Sequence, residues 1–532
     1  MSAAQSGSLT ASGLPTTKRA AAAHRAYRHS IRKTLLMLLV GFIVGIEFLE
    51  NGMFVFAASH IMGGIDAAPR EFAQVLAAYA IGNMMMIGMQ QWLSRYFGYR
   101  YYLCLSLMLF LVGALASAAA TGLYSMMFAR VIQGFGGGAL FTSCRILVPV
   151  LFTRTDRPRA LKYFMLMLFG LSSFAPVLSA CLVDGWGWRW IFLSVTPFVL
   201  LALIGIWVLM PPTVGRDTEP VRWAAGPLLL FAAAITLVQL SLSEARYDVF
   251  GHPVHLLIMM ALGAVLLAWF LWHQWHHHEP LLRLRELAHP AYLLGLGLYF
   301  LHYCLSNTSS YLFPIMAETG LGIPITYAGW LNTYAAGVSL VVAYGYLKLS
   351  SRTPKKKPFM VIGAASMALA AWSFSLVPAD VPATALLLAL AAKGVFGVLL
   401  VLPVANMTFR ELGDERFAHA YQSKNLMRQL ASSFSTAVAA IVLQNREFVN
   451  RTELIGSLTS TNAQASNWLD SVQAGFSAHS LAPSQATGAA LAELERMVSQ
   501  QTLLLACQDL YRFLAVLALA TMVLVLVQRR FK

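Results

Sequence analysis

Charged residues are scarce in this chain: Asp, Glu, Lys and Arg together make up 11% of its 532 residues. A soluble domain typically carries about 25% charged residues, so this composition excludes an ordinary soluble globular protein. Hydrophobic residues make up 58%, and the mean hydropathy is +0.64. Because a helix of about 20 apolar residues crosses the hydrocarbon core of a bilayer, these values predict an all-α polytopic membrane protein.

Cysteines and acids are also few. The five cysteines lie in or beside apolar runs, without the spacing of a disulfide framework or a metal site, so neither is expected. Lys and Arg outnumber Asp and Glu by 38 to 23, but they are spread over short loops, so nucleic acid is not an expected partner. The sequence has no glycine-rich nucleotide-binding loop, so no ATP or other cofactor is expected.

Fourteen apolar runs are long enough to span a bilayer. With the N-terminus in the cytoplasm, 26 of the 38 Lys and Arg fall in cytoplasmic segments and six in outer segments, as the positive-inside rule requires. We therefore expect a multi-pass protein of a cell inner membrane with both termini in the cytoplasm; an organelle transit segment is an alternative interpretation of residues 1–33. The predicted spans are residues 34–58, 73–93, 100–120, 124–151, 162–183, 190–210, 224–242, 255–274, 291–316, 325–349, 359–377, 383–408, 418–444 and 502–528.

The first span carries two glutamates, although a carboxylate at mid-span costs several kcal/mol. Glu47, Glu50 and Asn51 are spaced i, i+3 and i+4, which puts them on one helical face. The other acids are expected in loops, apart from Asp509 at the mouth of the last span. The two glutamates are therefore the candidates for intramembrane proton transfer.

Six bases lie within or at the edges of spans. Lys424 and Arg512 are expected to extend towards a membrane interface. The others need an acid or a water-filled cavity, and Glu47 and Glu50 are the obvious acids. These four bases are Arg130, Arg145, Lys393 and Arg428.

Span four begins with Arg130-Val131-Ile132-Gln133-Gly134, and three more glycines follow at 136–138. This run resembles motif B of the major facilitator superfamily. The whole set of motifs resembles the fourteen-span drug:proton antiporters of that superfamily, and most of all the Emr-type exporters. The further matches are residues 158–160, Ala175-Pro176, Trp188 to Phe192, Pro197, the run from Gln422 to Gln429, Gln500-Gln501 and Asp509.

Two motifs depart from the family pattern. The loop after span two carries Arg95 where the family usually has an aspartate, so a latch built on that acid is not expected. The motif that marks antiporters, Gly-Pro-x-x-Gly-Gly, is reduced here to Ala175-Pro176 followed by Val, Leu, Ser and Ala.

The resemblance implies a major facilitator fold with two six-helix bundles and two inserted helices. Its divisions are a cytoplasmic tail (1–33), an N-terminal bundle (34–210), inserted helices (211–290) and a C-terminal bundle (291–532) with an outer loop at 445–501. Substrate would bind near the midplane between the bundles. The outer loop is interpreted as a partly helical hairpin that docks on a partner, or alternatively as an unstructured linker.

Polar side chains at mid-span depth are the candidate substrate-binding residues. In span nine, positions 302, 306 and 310 share one helical face, which makes His302 more than a packing residue. The predicted substrate-binding residues are Asn51, Tyr79, Asn83, His302, Ser306, Asn307, Trp330, Asn332 and Tyr334.

Proton antiport is the predicted mechanism, with Glu47, Glu50, Arg130, Lys393 and Arg428 as coupling residues. The alternative is that both glutamates are held in structural ion pairs with Arg130 or Lys393. The predicted protein is not an enzyme but a proton-driven exporter of hydrophobic or amphipathic small molecules. The resemblance to the Emr-type exporters further implies that its outer loop meets a periplasmic adaptor protein and an outer-membrane channel. Two other functions remain open: export of one siderophore, fatty acid or lipid, and a non-transporting membrane sensor or scaffold.

Overall fold

The computed structural model describes residues 16–212, 214–215, 225–277, 280–350, 352–410, 412–458, 463–478 and 483–531. Throughout these ranges the regular structure is helical, with no strand. The helices are α1 Thr16–Phe56, α2 Ala58–Gly64, α3 Pro69–Phe97, α4 Tyr99–Ala118, α5 Leu123–Leu151, α6 Arg157–Ser173, α7 Ala175–Trp186, α8 Trp190–Leu193, α9 Thr196–Leu209, α10 Ala225–Gly251, α11 Pro253–His276, α12 Leu284–Leu287, α13 Pro290–Ile315, α14 Ile325–Ser350, α15 Lys357–Phe374, α16 Leu387–Leu399, α17 Val401–Thr408, α18 Asp414–Ser457, α19 Ala463–Ala478 and α20 Pro483–Val527.

Twelve segments in the described part of the chain are long and apolar enough to cross a membrane. They correspond to every predicted span except the ninth and tenth. Helices α13 and α14 lie at those two places with 26 residues each, or about 39 Å of helix, but polar side chains such as Asn307 and Asn332 lower their hydropathy. The all-α, multi-span architecture is thus confirmed, and the count of fourteen stays a prediction.

Two apolar cores organise the helices. The first is formed almost entirely by α1 to α9, and the second almost entirely by α13 to α20. The two groups meet where α18 packs on α3 and α5, and where α14 packs on α6 and α7. Helix α10 packs on α11 and also lies against α3 and α18, so it contacts both groups.

Glycines in α5 bring this helix against α3. A Cβ atom added to Gly134 would lie 2.3 Å from the carbonyl oxygen of Tyr79, and one added to Gly138 would lie 2.2 Å from that of Asn83. Only glycine allows this backbone approach. The contact fixes Tyr79 and Asn83 beside the residues that α5 contributes to the site described below.

Helix α10 continues to Gly251, well beyond the predicted end of span seven at residue 242. Its two carboxylates, Glu244 and Asp248, are buried and accept bonds of 2.7 and 2.8 Å from the guanidinium of Arg70 on α3. The expectation that these acids lie in a loop is therefore wrong. Ion pairing with Arg70 stabilises both carboxylates on the helix.

Most of the predicted outer loop, 445–501, is helical. Helix α18 runs for 44 residues to Ser457, α20 starts at Pro483, and α19 lies between them and packs on α20. Arg446 of α18 binds Asp509 of α20 at 2.7 Å, and Arg451 pairs with Glu495. The alternative of an unstructured linker does not hold for the described part of this segment, which we call the outer extension.

Candidate functional site

A buried ion pair joins α1 to α5. The guanidinium of Arg130 donates a 2.8 Å bond to Glu50, and the two side chains are 1% and 0% exposed. Arg130 also donates to Gln133 at 2.7 Å and lies between two rings, with Cζ 3.8 Å from the centroid of Phe54 and 4.4 Å from that of Tyr79. Glu50 is thereby held in a buried ion pair with Arg130.

Asn51 extends this network to α3. Its Oδ1 accepts a 3.4 Å contact from Arg130, and its Nδ2 donates a 2.7 Å bond to the hydroxyl of Tyr79. Tyr79 in turn fits beside Gly137, where a Cβ atom would lie 2.3 Å from the tyrosine hydroxyl. The structure thus brings Glu50, Asn51, Tyr79 and Arg130 together, and their roles in coupling or substrate binding stay predictions.

Glu47 lies one turn before Glu50 and is also buried, but no base binds it at ion-pair distance in the described chain. Its Oε2 atom has no hydrogen-bond partner there. Its polar neighbours are Asn83 on α3 and, through an electrostatic interaction, Arg428 on α18. The alternative that both glutamates are locked in ion pairs therefore describes Glu50 and not Glu47.

Arg428 comes from the second helix group and reaches the first. Its Cζ lies 4.7 Å from the ring centroid of Phe141 on α5 and 5.3 Å from that of Phe48 on α1. Nε of Arg428 has no hydrogen-bond partner within the described residues. Glu47 and Arg428 therefore face each other across the boundary between the two groups.

Lys424 lies one turn before Arg428 and is only 3% exposed. Four aromatic rings surround its ammonium group, which also donates a 3.0 Å bond to Asn425. The expectation that Lys424 extends to a membrane interface is wrong, because α18 directs this side chain into the boundary between the groups. The ring centroids lie 4.9 to 5.4 Å from Nζ and belong to Phe141, Tyr299, Tyr303 and Tyr421.

His302 of α13 lies beside this aromatic set. Its ring centroid is 5.3 Å from that of Tyr303 and 4.8 Å from that of Phe396, and Lys424 acts on it electrostatically. Nδ1 of His302 has no hydrogen-bond partner in the described part of the chain.

The remaining predicted site residues are not joined to this cluster by any described contact. Lys393 of α16 contacts the ring of Phe313 at 5.4 Å, in the second core. Trp330 and Tyr334, one turn apart on α14, are exposed. Ser306, Asn307 and Asn332 are partly buried. Their roles in coupling or substrate binding remain predictions.

Polar contacts hold the two groups together at this level. Gln422 of α18 donates bonds of 2.7 and 2.9 Å to the carbonyl oxygens of Ile87 and Gly88, and Asn425 donates a 2.8 Å bond to Thr142. At another place Thr326 of α14 donates a 2.6 Å bond to Asp184 of α7. The bonds of Gln422 and Asn425 hold α18 against α3 and α5 beside Lys424 and Arg428.

Sequence reasoning missed the aromatic rings around Lys424 and the stacking of Arg130. One signal was present: Lys424 and Arg428 are spaced i, i+4, so a helix that places one base at the boundary places both there. Arg145, which lies 4.8 Å from the ring of Phe417 and 5.6 Å from that of Tyr421, adds a third base from α5.

Comparison with known proteins identifies the sequence family. The sequence family described as Major Facilitator Superfamily matches residues 40–436. The chain is 21% identical over 413 residues to an "Uncharacterized MFS-type transporter YhcA" of Bacillus subtilis, which covers 77% of this chain and 76% of the relative. It is 23% identical over 423 residues to a "Putative multidrug resistance protein MdtD" of Klebsiella pneumoniae, covering 78% of this chain and 86% of the relative.

Solved structures share the fold. A bacterial homologue of the human drug peptide transporters PepT1 and PepT2 superposes with a TM-score of 0.60 at 14% identity, over 93% of this chain and 97% of that one. A D-xylose-proton symporter superposes with a TM-score of 0.53 at 16% identity, over 78% of this chain and 90% of that one. At these identities the likeness concerns the fold alone.

Proposed function

The chain belongs to the major facilitator superfamily, and on that premise we propose that it is a proton-driven exporter of hydrophobic or amphipathic small molecules. Relatives named as multidrug resistance proteins support small-molecule export across a bilayer. The single observation that supports proton coupling is the state of Glu47: it is a buried carboxyl at the boundary between the helix groups and forms no ion pair with any residue that the structure describes.

The proposed coupling depends on the base that faces Glu47 from the other helix group. When Glu47 is ionised, its attraction to Arg428 favours the arrangement in which α18 lies against α1 and α5. A proton on Glu47 removes that attraction. Because only a differential interaction can shift an equilibrium between two conformations, protonation of Glu47 would bias the relative positions of the two groups.

The Glu50–Arg130 pair has a different role in this proposal. It ties α1 to α5 and so keeps Glu47 at the boundary. The driving force would be the proton gradient, with no bound cofactor: one charge crossing a potential of about 100 mV releases about 2.3 kcal/mol.

The test is export from proteoliposomes under an imposed pH gradient, with a panel of anionic, neutral and cationic fluorescent compounds. We expect the wild type to move at least one compound uphill, and a proton uncoupler to abolish that movement. Glu47→Gln should abolish uphill export while leaving downhill exchange of the same compound. Glu453→Gln, which neutralises an exposed acid, is the matched control and should export normally.

Uphill export by Glu47→Gln at the wild-type rate would rule out Glu47 as the coupling residue. Absence of any movement by the wild type, for every compound in the panel, would favour the non-transporting sensor or scaffold instead. Loss of both uphill export and downhill exchange in Glu47→Gln would assign this residue to substrate passage rather than to coupling.

The proposal includes a place and partners. The exporter would lie in a cell inner membrane with both termini in the cytoplasm, and its outer extension would meet a periplasmic adaptor protein that leads to an outer-membrane channel. Exposed apolar side chains on the outer extension support a docking role: Phe448 on α18 is 71% exposed, and Leu491 on α20 is also exposed. An adaptor helix would cover such side chains.

Replacing Phe448 and Leu491 together by serine should reduce the amount of adaptor that co-purifies from native membranes, with no change in membrane insertion. Tyr124→Ser is the control, because Tyr124 is exposed at the predicted outer end of α5. Equal co-purification from the wild type and the double variant would contradict this docking surface.

A further inference from the structure

Bases outnumber acids where α18 meets α1 and α5. Of the bases described there, Arg130 is neutralised by Glu50, which leaves Glu47 as the one described acid beside the three remaining bases. None of these three has a carboxylate at ion-pair distance among the described residues. We call them the basic cluster: Arg145, Lys424 and Arg428.

Shared aromatic rings connect the three bases. Tyr421 contacts Lys424 at 4.9 Å and Arg145 at 5.6 Å, while Phe141 contacts Lys424 at 5.1 Å and Arg428 at 4.7 Å. Arg145 and Arg428 also act electrostatically on Lys424. The three bases therefore lie close to one another; Lys424 is buried, and Arg145 and Arg428 are partly buried.

Such a concentration of like charge needs a compensating group. Ionisable side chains within a membrane protein usually pair with each other or line an aqueous cavity. The rings offset part of the cost through cation–π interactions, but they carry no net charge. The one hydrogen-bond acceptor shown for the ammonium of Lys424 is the neutral amide of Asn425.

We propose that the basic cluster binds the acidic head of the transported compound, which would be an organic anion with an aromatic or other apolar body. A carboxylate or sulfonate would bind between Lys424 and Arg428, where the charge-assisted bonds are strong. Its body would pack on Phe141, Tyr299 and Tyr303. This inference rests on the proposed export function and names its substrate class.

A compound could reach the basic cluster because its residues lie on helices of both groups. Phe141 and Arg145 belong to α5 in the first group, whereas Tyr421, Lys424 and Arg428 belong to α18 in the second. Separation of the two groups opens the cluster, and their approach encloses it. A cationic compound in the same place would add to the positive charge, so anions are favoured over cations of the same shape.

Three probes with one ring system and different charge test this inference: 1-naphthoate, 1-naphthalenemethanol and 1-naphthylmethylamine. Binding to the purified protein is measured by the shift in thermal unfolding with probe concentration, since a ligand that binds the folded state stabilises it. We expect naphthoate to bind more tightly than the alcohol, and the amine most weakly. Titrations at low and at high chloride concentration show whether an inorganic anion occupies the same cluster, because chloride would then weaken naphthoate binding.

Lys424→Gln should weaken naphthoate binding by about tenfold or more, which is the usual size of a lost hydrogen bond to a charged group, and should leave the alcohol unaffected. Lys424→Arg keeps the charge and should retain most of the affinity, which separates loss of charge from loss of fold. Lys355→Gln, an exposed position, is the matched control.

Equal binding of the three probes, or unchanged naphthoate binding by Lys424→Gln, would overturn the inference. Chloride binding without any naphthoate binding would also overturn it, because the cluster would then be a site for an inorganic ion. The outcome is independent of the coupling test: uphill export of cations only, without naphthoate binding, would refute the substrate class and leave proton-driven export standing. Naphthoate binding without uphill export would support the substrate class and refute proton-driven export.

Discussion

Removing both partners of the buried Glu50–Arg130 pair should destabilise the protein by less than the sum of the two single removals. The two side chains are almost fully buried and joined by a 2.8 Å bond. With about 4 Å between the charge centres and an effective dielectric constant of about 20, their attraction is roughly 4 kcal/mol. When one side chain is replaced, the charge of the other loses that attraction, but the free energy needed to remove it from water remains.

Glu50→Gln and Arg130→Met should therefore each lower the free energy of unfolding by about 3–5 kcal/mol, the usual cost of breaking a buried pair. The double variant should be less destabilised than the sum of the two, with a coupling energy of about 2–3 kcal/mol. Unfolding by SDS in mixed micelles, followed by the fluorescence of the 12 tryptophans, measures all four proteins of this cycle.

The exposed pair Arg451–Glu495 provides the control cycle, because both side chains reach solvent. Arg451→Met and Glu495→Gln should each change stability by about 0–1 kcal/mol and combine additively. Should the buried cycle prove as additive as the exposed one, the assignment of Glu50 and Arg130 as mutually neutralising charges would be refuted.

Three further predictions concern packing, pH and the inserted helices. Gly138→Ala should lower the unfolding temperature, because its Cβ would lie 2.2 Å from the carbonyl oxygen of Asn83, whereas Gly185→Ala, which meets nothing within 4 Å, should not. Burial raises the pKa of Glu318, which follows α13, to about 7, so its contribution to stability is full below its ordinary pKa and is lost as the pH rises through about 7. Thermal unfolding of wild type and Glu318→Gln across that range should show a smaller loss for the variant. Arg70→Gln should lower the unfolding temperature, since it removes the guanidinium that the two buried carboxylates of α10 share; an unchanged value would show that α10 does not depend on these ion pairs.

Helical spacing was enough to predict the face that carries Glu47 and Glu50, and the Arg-x-x-Gln-Gly pattern predicted that Arg130 reaches a polar site. The choice of partner could not be predicted. Glu47 and Glu50 lie one turn apart, so the one that meets Arg130 is set by how far α5 is shifted along α1. Contacts at Gly134 and Gly138 fix α5 against α3, and only the structure shows where that leaves α5 relative to α1.

For Lys424, the prediction from the sequence was wrong. Its place near the predicted start of span thirteen suggested an interfacial side chain. That prediction failed because a boundary error of a few residues changes the depth assigned to a base. The rings that surround it come from α5, α13 and α18, more than a hundred residues apart in sequence. No local sequence pattern predicts contacts between such distant segments. The i, i+4 spacing of Lys424 and Arg428 predicts only that both bases lie on one face of α18.

The uninterrupted course of α18 has a mechanical consequence. The same helix carries Lys424 at the boundary and, further along, the outer extension up to Ser457. The two points are about 50 Å apart at 1.5 Å per residue, so a tilt of about 10° pivoting at Lys424 would displace the far tip by roughly 9 Å. A tilt of α18 on binding of a compound at Lys424 would thus be transmitted along the helix to any protein bound at its far end.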